Sequence, residues 1–519
     1  MIIADTAMKH FRISTQAEPS PPLLRARRIG LFTQHEAIVF MHADCHVCRS
    51  EGLRSRSQVV LCAGDREVYA ILYQMKGDMI GHDEAALSEA AWNRLGVKEG
   101  DTIHVRHPPE SASLSSVRRY IYGHRLDEAS LRSIIDDIAA GRYTDVHLAA
   151  FLTASTVLPL DDAETISLIR AMVDVGDKIS WSSSVVIDKH CVGGLPGNRT
   201  TPIIVAIAAA SGLLMPKTSS RAITSPAGTA DVMETMAPVT IDLSLLRRVV
   251  EVEGGCIAWG GSVQLSPADD LFIRIERELD IDAEGQLIAS ILSKKIAAGS
   301  NHVVIDIPVG PTAKVRTEET ATRLASRLTS IAERFGLKIR CIQTSGLEPV
   351  GRGVGPALEA MDVLAVLQNA PDAPQDLRTR ACQLAGAALE LAGAASEGEG
   401  LKMAEEVLKD GRAWAKFQRI CKAQGGMRLP PKARVQHSIM AAKSGSIVNI
   451  DNRKIAKLAK LAGAPDVKAA GLQIHVKLGM EIKAGTPILT LHADTAGELA
   501  YALGYARLHP TIIEISSSR

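Results

Sequence analysis

The stretch from Val185 to Asp231, VVIDKHCVGGLPGNRTTPIIVAIAAASGLLMPKTSSRAITSPAGTAD, constrains the fold of this chain more than any other. A β-branched run from Val185 to Ile187 stops at a turn holding Gly193, Gly194 and Gly197, and an apolar, helix-length run starts after Thr200 and Thr201. That order reads as strand, tight loop, helix. Pro202 suits a first helical turn, where its missing N–H costs nothing, and Asn198 or Thr200 is placed to cap the leading amides. Such a turn offers unpaired N–H groups and a partial positive charge, and its glycines let backbone approach an anion, so it is a candidate phosphate site. Lys189 and His190 close the strand, a common place for functional groups in open sheets. A second loop crowds Thr218, Ser219, Ser220, Arg221, Thr224, Ser225 and Thr229 before another helical run. Hydroxyls often only cap turns, but this many around one arginine exceed one cap's needs and read as a ligand loop.

The pattern is not that of a nucleoside-triphosphate loop. A Walker motif needs four residues between its glycines and then Gly-Lys-Ser/Thr, whereas two residues separate Gly194 from Gly197 and Arg199 follows Asn198. Fifty-nine basic against 58 acidic residues give a net charge of +1, and aromatics reach only 3%. Neither a basic footprint nor a base-stacking platform is present, so nucleic acid is not an expected partner. No run of eighteen apolar residues occurs and the N-terminus lacks secretory-signal character, so no membrane partner and a cytoplasmic location are expected. The 8 cysteines are scattered, as reduced thiols are.

At 519 residues, with 46% hydrophobic content, the chain has room for two to four domains. Read in order, residues 1–27 form a flexible tail and 28–108 a small β-rich domain with one helix near Ser88. Cys45 and Cys48 have the spacing of half a zinc site or a redox pair, but no second half exists, and a structural role without metal is expected. Residues 109–180 read as a helical domain with a stop at Gly141. Residues 181–430 alternate strands (VVIDKH, CIAWGG, HVVIDIPVG) with helices, as an α/β domain does. Residues 431–519 alternate short strands and glycine turns, a C-terminal α+β domain similar to the barrel-sandwich of biotinyl carriers. Lys443 lies in AAKSG rather than a carrier's Met-Lys-Met setting, so this part reads as a structural appendage. The fold class is therefore a multidomain α/β chain.

The segment DKHCVGGLPGNRTTPIIVAIAAASGLLMPKTSSRAITSPAGTAD resembles the signature region of the thymidine phosphorylase family, which breaks a nucleoside N-glycosidic bond with inorganic phosphate. ASILSKKIAAGSNHVVIDIPVG and GRGVGPALEA resemble two further family blocks, and SSRAITS with PGN is similar to the AMP phosphorylase branch. The resemblance implies a phosphate cradle from Lys189, Gly194, Thr201, Ser219 and Thr229, with Ser220, Arg221, Ala222, Ile223, Thr224 and Ser225 against the sugar or its phosphate. It implies Asp282 as proton donor, base reading by Ser290 and Lys294, and nucleotide binding by Lys314, while His190, from its place at the strand end, is a second catalytic candidate. Ser290 and Lys294 are four apart on a helical segment and share a face, while Lys295 points elsewhere.

Two departures bear on substrate. Where the family's thymidine enzymes carry a pyrimidine-gripping arginine stands Ile275; Arg274 or Arg277 is a candidate substitute, though either points in a different direction from residue 275. Cys191 replaces a common serine, and a thiol donates weakly, so backbone amides are expected to hold the phosphate there. The expected activity is phosphorolysis of a nucleoside monophosphate, AMP plus phosphate giving adenine and ribose 1,5-bisphosphate, by a homo-oligomer with neither metal nor organic cofactor. Thymidine phosphorolysis is the alternative. A non-catalytic nucleotide sensor and a magnesium-dependent anthranilate phosphoribosyltransferase are lesser ones.

Overall fold

The structure is a computed structural model that describes residues 23–222, 225–279, 281 and 283–516. They fall into two compact units, one of residues 23–112 with 140–144, the other holding the rest.

The first unit is a closed six-stranded barrel. Its strands are β1 (Leu23–Arg28), β2 (Ile38–His42), β3 (Gln58–Ala63), β4 (Arg66–Met75), β5 (Glu84–Leu87) and β6 (Thr102–Arg106), closing in the order β1-β5-β2-β4-β3-β6. Two helices, α1 (His46–Ser50) and α2 (Glu89–Leu95), pack on it. Leu24 and Ala26 turn inward from β1 while Leu23, Arg25 and Arg27 face outward, the period of two that a half-buried strand requires. Residues 23–27, read above as tail, therefore belong to a strand paired with both β5 and β6. The alternation was too short to register against the prolines before it.

Cys45 Sγ accepts from the Cys48 amide at 3.2 Å and so caps α1. A hydrogen bond from the Cys48 thiol, opposed by burial, brings the Cys45 thiol down to about 6. Both cysteines are buried, and among the described residues no group of three or more His, Cys, Asp or Glu is arranged to hold a metal.

The second unit opens with four helices, α3 (Ser113–Ile121), α4 (Glu128–Ala139), α5 (Asp145–Val157) and α6 (Asp162–Asp174). Then follow β7 (Ile187–Cys191), α7 (Thr201–Ala210), β8 (Met215–Ser219), α8 (Thr229–Glu234), α9 (Leu243–Glu253) and β9 (Gly255–Trp259). Helices α10 (Pro267–Leu279) and α11 (Glu284–Ala297) come next, and they pack against α4, α5 and α6, so the helical bundle is completed by a later segment. The chain returns through β10 (His302–Val309), α12 (Glu318–Glu333), β11 (Lys338–Ser345), β12 (Gly353–Val354), α13 (Pro356–Leu367), α14 (Gln375–Leu391), α15 (Gly400–Lys409) and α16 (Arg412–Ala423).

Strands β11, β10 and β7 are parallel, a parallel bridge from Val186 to Leu214 leads on to β8, and β8 pairs in parallel with β9. Parallel strands need cover on both faces, and α7, α9, α12 and α14 pack against them, α7 being buried along almost its whole length and apolar all round. β7, β9 and β10 are the three strands read from the sequence. β8 and β11 were not, because PKTS and KIRCIQTS are too polar to look like buried parallel strands. Since the strands are parallel, the loops after β7, β8 and β10 open at one carboxyl edge, where α/β sheets bind ligands.

The C-terminal part comprises β13 (Val435–Met440), β14 (Gly445–Ile450), α17 (Asn452–Leu461), β15 (Gly471–Ile474), β16 (Glu481–Ile482), β17 (Pro487–Ala493), α18 (Ala496–Leu508) and β18 (Ile513–Ile515). Two antiparallel sheets, β12-β15-β17-β13 and β16-β14-β18, enclose a core shared with both helices. β12, from the central segment, thus pairs across the boundary placed near residue 431. No helix among the described residues is long and apolar enough to cross a membrane.

Candidate active site

At the carboxyl edge of β7 the backbone folds under Gly193, Gly194 and Gly197, all at positive φ. A Cβ on Gly194 would lie 2.4 Å from the Lys314 amide nitrogen, and one on Gly197 would lie 2.1 Å from the Val350 carbonyl. No other residue type fits either place without displacing backbone.

Neither Asn198 nor Thr200 caps α7, contrary to the expectation above. Asn198 Nδ2 donates to Asp306 Oδ2 at 2.9 Å, and Thr200 Oγ1 accepts from Lys189 Nζ at 2.9 Å. No side chain bonds the leading amides of α7, which remain available to a ligand.

Beneath the loop lies a buried charge cluster. Asp188 Oδ2 accepts from Lys295 Nζ at 2.7 Å, its Oδ1 sits 3.3 Å from Lys217 Nζ, and Asp306 Oδ2 lies 3.7 Å from Lys189 Nζ. All five residues are at most 5% exposed, leaving three ammonium groups against two carboxylates where water is scarce. Burial would raise both carboxyls, but Lys217 and Lys295 bring Asp188 below its ordinary value and Lys189 does the same for Asp306. Burial also pulls the Lys295 ammonium down to about 7, with Asp188 opposing. A group of this kind gains from an incoming anion, which restores its charge and completes the balance.

The other candidates lie on the walls of one cleft of about 1090 Å³. Lys189, His190, Gly194, Thr201, Ser219, Ser220, Arg221, Ser225, Thr229, Ser290, Lys294 and Lys314 all line it. Ser219 ends β8 rather than starting a loop, and its hydroxyl is buried without a partner, so it can donate to an oxyanion. Burial and the lysines around it hold the His190 imidazole well below its ordinary value, so the ring is neutral at pH 7. Burial pushes the Cys191 thiol up to about 12, and Cys191→Ser is expected to retain its phosphate KM within about twofold, since backbone amides supply the donors. A rise of tenfold or more in steady-state kinetics would contradict that.

Several members of the second loop are already engaged. Thr229 Oγ1 accepts from Arg199 Nη1 at 2.6 Å, and Arg199 also binds Glu359 and the Ala227 carbonyl, tying the two loops together. Arg221 places both terminal nitrogens 2.7 Å from Glu234 and lies over Trp259, so its guanidinium is spent on positioning the loop. The Ala222 amide donates to Asp231, and Ala222 does not line the cleft. Ile223, Thr224 and Asp282 lie outside the described residues.

Across the cleft, Lys294 Nζ donates to Ser290 Oγ at 3.0 Å and to Asp269 at 2.7 Å, so the shared face read from the sequence exists. Lys295 does point elsewhere, into the buried charge cluster around Asp188. On α10, Ile275 is buried in the core, Arg274 reaches Asp145 on α5, and Arg277 lines the cleft. Asp270 also lines it, and desolvation by the cleft walls, with neighbouring Asp269, pushes its carboxyl up to about 6.

The oxyanion cradle and the Ser290–Lys294 pair line one cleft at the carboxyl edge of a parallel sheet, the usual place for a ligand site in an α/β fold. Comparison with known proteins places the chain more closely. Residues 183–414 match the model of the glycosyl transferase family a/b domain, 115–176 its helical bundle domain, and 446–508 the pyrimidine nucleoside phosphorylase C-terminal domain. A Chelativorans protein named "Putative thymidine phosphorylase" is 65% identical, covering 96% of this chain and 99% of its own. A Tolumonas auensis protein of the same name is 61% identical, covering 97% of this chain and 100% of its own. Anthranilate phosphoribosyltransferase from Thermus thermophilus has the same fold over 60% of this chain and 99% of its own, with a TM-score of 0.51 at 20% identity. The chain belongs to the thymidine phosphorylase and AMP phosphorylase family.

Proposed function

We propose that this enzyme cleaves the N-glycosidic bond of a nucleoside 5′-monophosphate with inorganic phosphate, converting AMP to adenine and ribose 1,5-bisphosphate. The observation that carries this reading is the buried excess of ammonium groups beneath the uncapped start of α7, a place for an inorganic oxyanion. Phosphate held there forms a bond to C1′ as the C1′–N bond breaks and its electron pair departs with the base. The transition state carries oxocarbenium character on the sugar and negative charge on the base. Ser290 and Lys294 hold the base, and Asp282 is the proton donor that neutralises it. The scheme needs no cofactor.

The names of the relatives favour thymidine as a second reading. Against it, Ile275, which stands where the family's thymidine enzymes carry the clamping arginine, is buried in the packing of α10, and the arginine that reaches the cleft, Arg277, comes two residues later. Incubation with phosphate and a panel of nucleosides and monophosphates, followed by chromatography of the released base, decides between them. Adenine release from AMP is expected to exceed thymine release from thymidine by at least a hundredfold. Faster thymine release would overturn the proposal.

A further inference from the structure

We propose that α17, from the C-terminal part of the chain, is the specificity element of the cleft, and that Arg453 and Lys457 hold the phosphate ester of the sugar. This rests on the nucleotide reading above and adds the residues that separate a nucleotide from a nucleoside. The cations deep in the cleft serve the buried carboxylates and the inorganic phosphate. Lys189, Lys217 and Lys295 answer to Asp306 and Asp188, and Lys294 to Asp269. Farther out the cleft is lined by Arg316, Arg453 and Lys457, and no carboxylate among the described residues pairs with any of these three side chains. A neutral nucleoside gives this outer band nothing to bind. A substrate with its own phosphate needs it, because two phosphates in one cleft repel each other unless each meets cations.

The placement of α17 is built rather than incidental. Asp451 caps the helix by accepting from the Arg453 and Lys454 amides, and Ile455, Leu458 and Ala459 bury the opposite face. Asn452, fully buried, donates through Nδ2 to Thr312 Oγ1 and to the Gly346 carbonyl, each at 2.9 Å. Thr312 belongs to the loop whose Lys314 backbone covers Gly194, so the first turn of α17 is fixed to the roof of the phosphate loop. Arg453 and Lys457 are four residues apart and share one face. Both are exposed, so their charged ends can exchange water for phosphate oxygens at small cost. The C-terminal part, read from the sequence as an appendage, therefore forms one wall of the site.

The test is calorimetric titration of the full-length enzyme with AMP and with adenosine at saturating inorganic phosphate, beside base release from each. Arg453→Ala/Lys457→Ala is expected to raise the dissociation constant for AMP at least tenfold, leaving that for adenosine and the KM for phosphate unchanged. Arg453→Lys/Lys457→Arg should restore most of the loss. Equal losses for AMP and adenosine, no loss for either, or a wild-type enzyme that binds adenosine as tightly as AMP would each overturn the assignment. Wild-type preference for AMP without adenine release, lost in the double variant, supports α17 and removes the proposed reaction. Adenine release from AMP with an unchanged preference in the variant does the reverse.

Discussion

Lys189→Ala is expected to lower kcat/KM for phosphate by about 10²- to 10³-fold, the range seen when one donor to a developing oxyanion is removed. Lys189 is 1% exposed and bridges the two halves of the cradle, with Nζ donating to Thr200 just before α7 and facing Asp306 on β10. Without it the cradle loses a buried ammonium group, and Asp306 is left with uncharged donors such as Asn198 and Thr344 against a buried carboxylate. A broken buried pair costs about 3–5 kcal/mol, so a general loss of structure must be separated from a lost phosphate contact. The split between substrates does so. The KM for phosphate and the affinity for sulfate should worsen together, while AMP binding measured without phosphate stays within about threefold. Lys189→Arg should not rescue, since a planar guanidinium cannot reproduce the point contact that Lys189 Nζ makes between Thr200 and Asp306. An unchanged KM for phosphate would remove Lys189 from the cradle.

What was legible in the sequence was whatever lay in consecutive residues. The glycine turn, Lys189, Thr201 and the hydroxyls from Ser219 onward could be read because strand, loop and helix follow one another without interruption. The charge cluster could not, since it depends on register. Lys189 lies opposite Val304 in the pairing of β7 with β10, and Asp306, two residues on, shares its face. Nothing local in IDIPVG says that this aspartate meets a lysine more than a hundred residues earlier. Lys217 and Lys295 were missed for the same reason, one hidden in a polar strand and the other beside Lys294 on a helix whose outer face looks solvated. α10 was missed because PADDLFIRIEREL carries so many charges, although its buried residues include Ala268, Phe272 and Ile275 at helical spacing. Ile275 was recognised as a departure, but only the packing of α10 shows that Arg277, and not Arg274, turns toward the cleft.

Asp188→Asn is expected to lower the stability of the larger unit by about 3–5 kcal/mol without ligand, and sulfate should recover part of that loss. The amide has the carboxylate's shape but not its charge, so Lys217 and Lys295 would lose the anion 3.3 Å and 2.7 Å away. Lys295, already drawn down to about 7 by burial, would lose the group that opposes the shift and shed its proton more readily. An oxyanion in the loop replaces some of the missing negative charge, and ligand at a hundred times its Kd adds about 2.7 kcal/mol to a folded state. The pH dependence gives an independent sign. Asp188 has a folded pKa below its ordinary value, so its contribution is fully present above the ordinary carboxylate range and fades as pH falls through the lowered value. The gap between wild type and variant in thermal melts should therefore be widest near neutral pH and narrow in acid. A gap that stays constant into acid, or a variant that sulfate fails to stabilise, would mean that Asp188 does not balance the lysines under the phosphate loop.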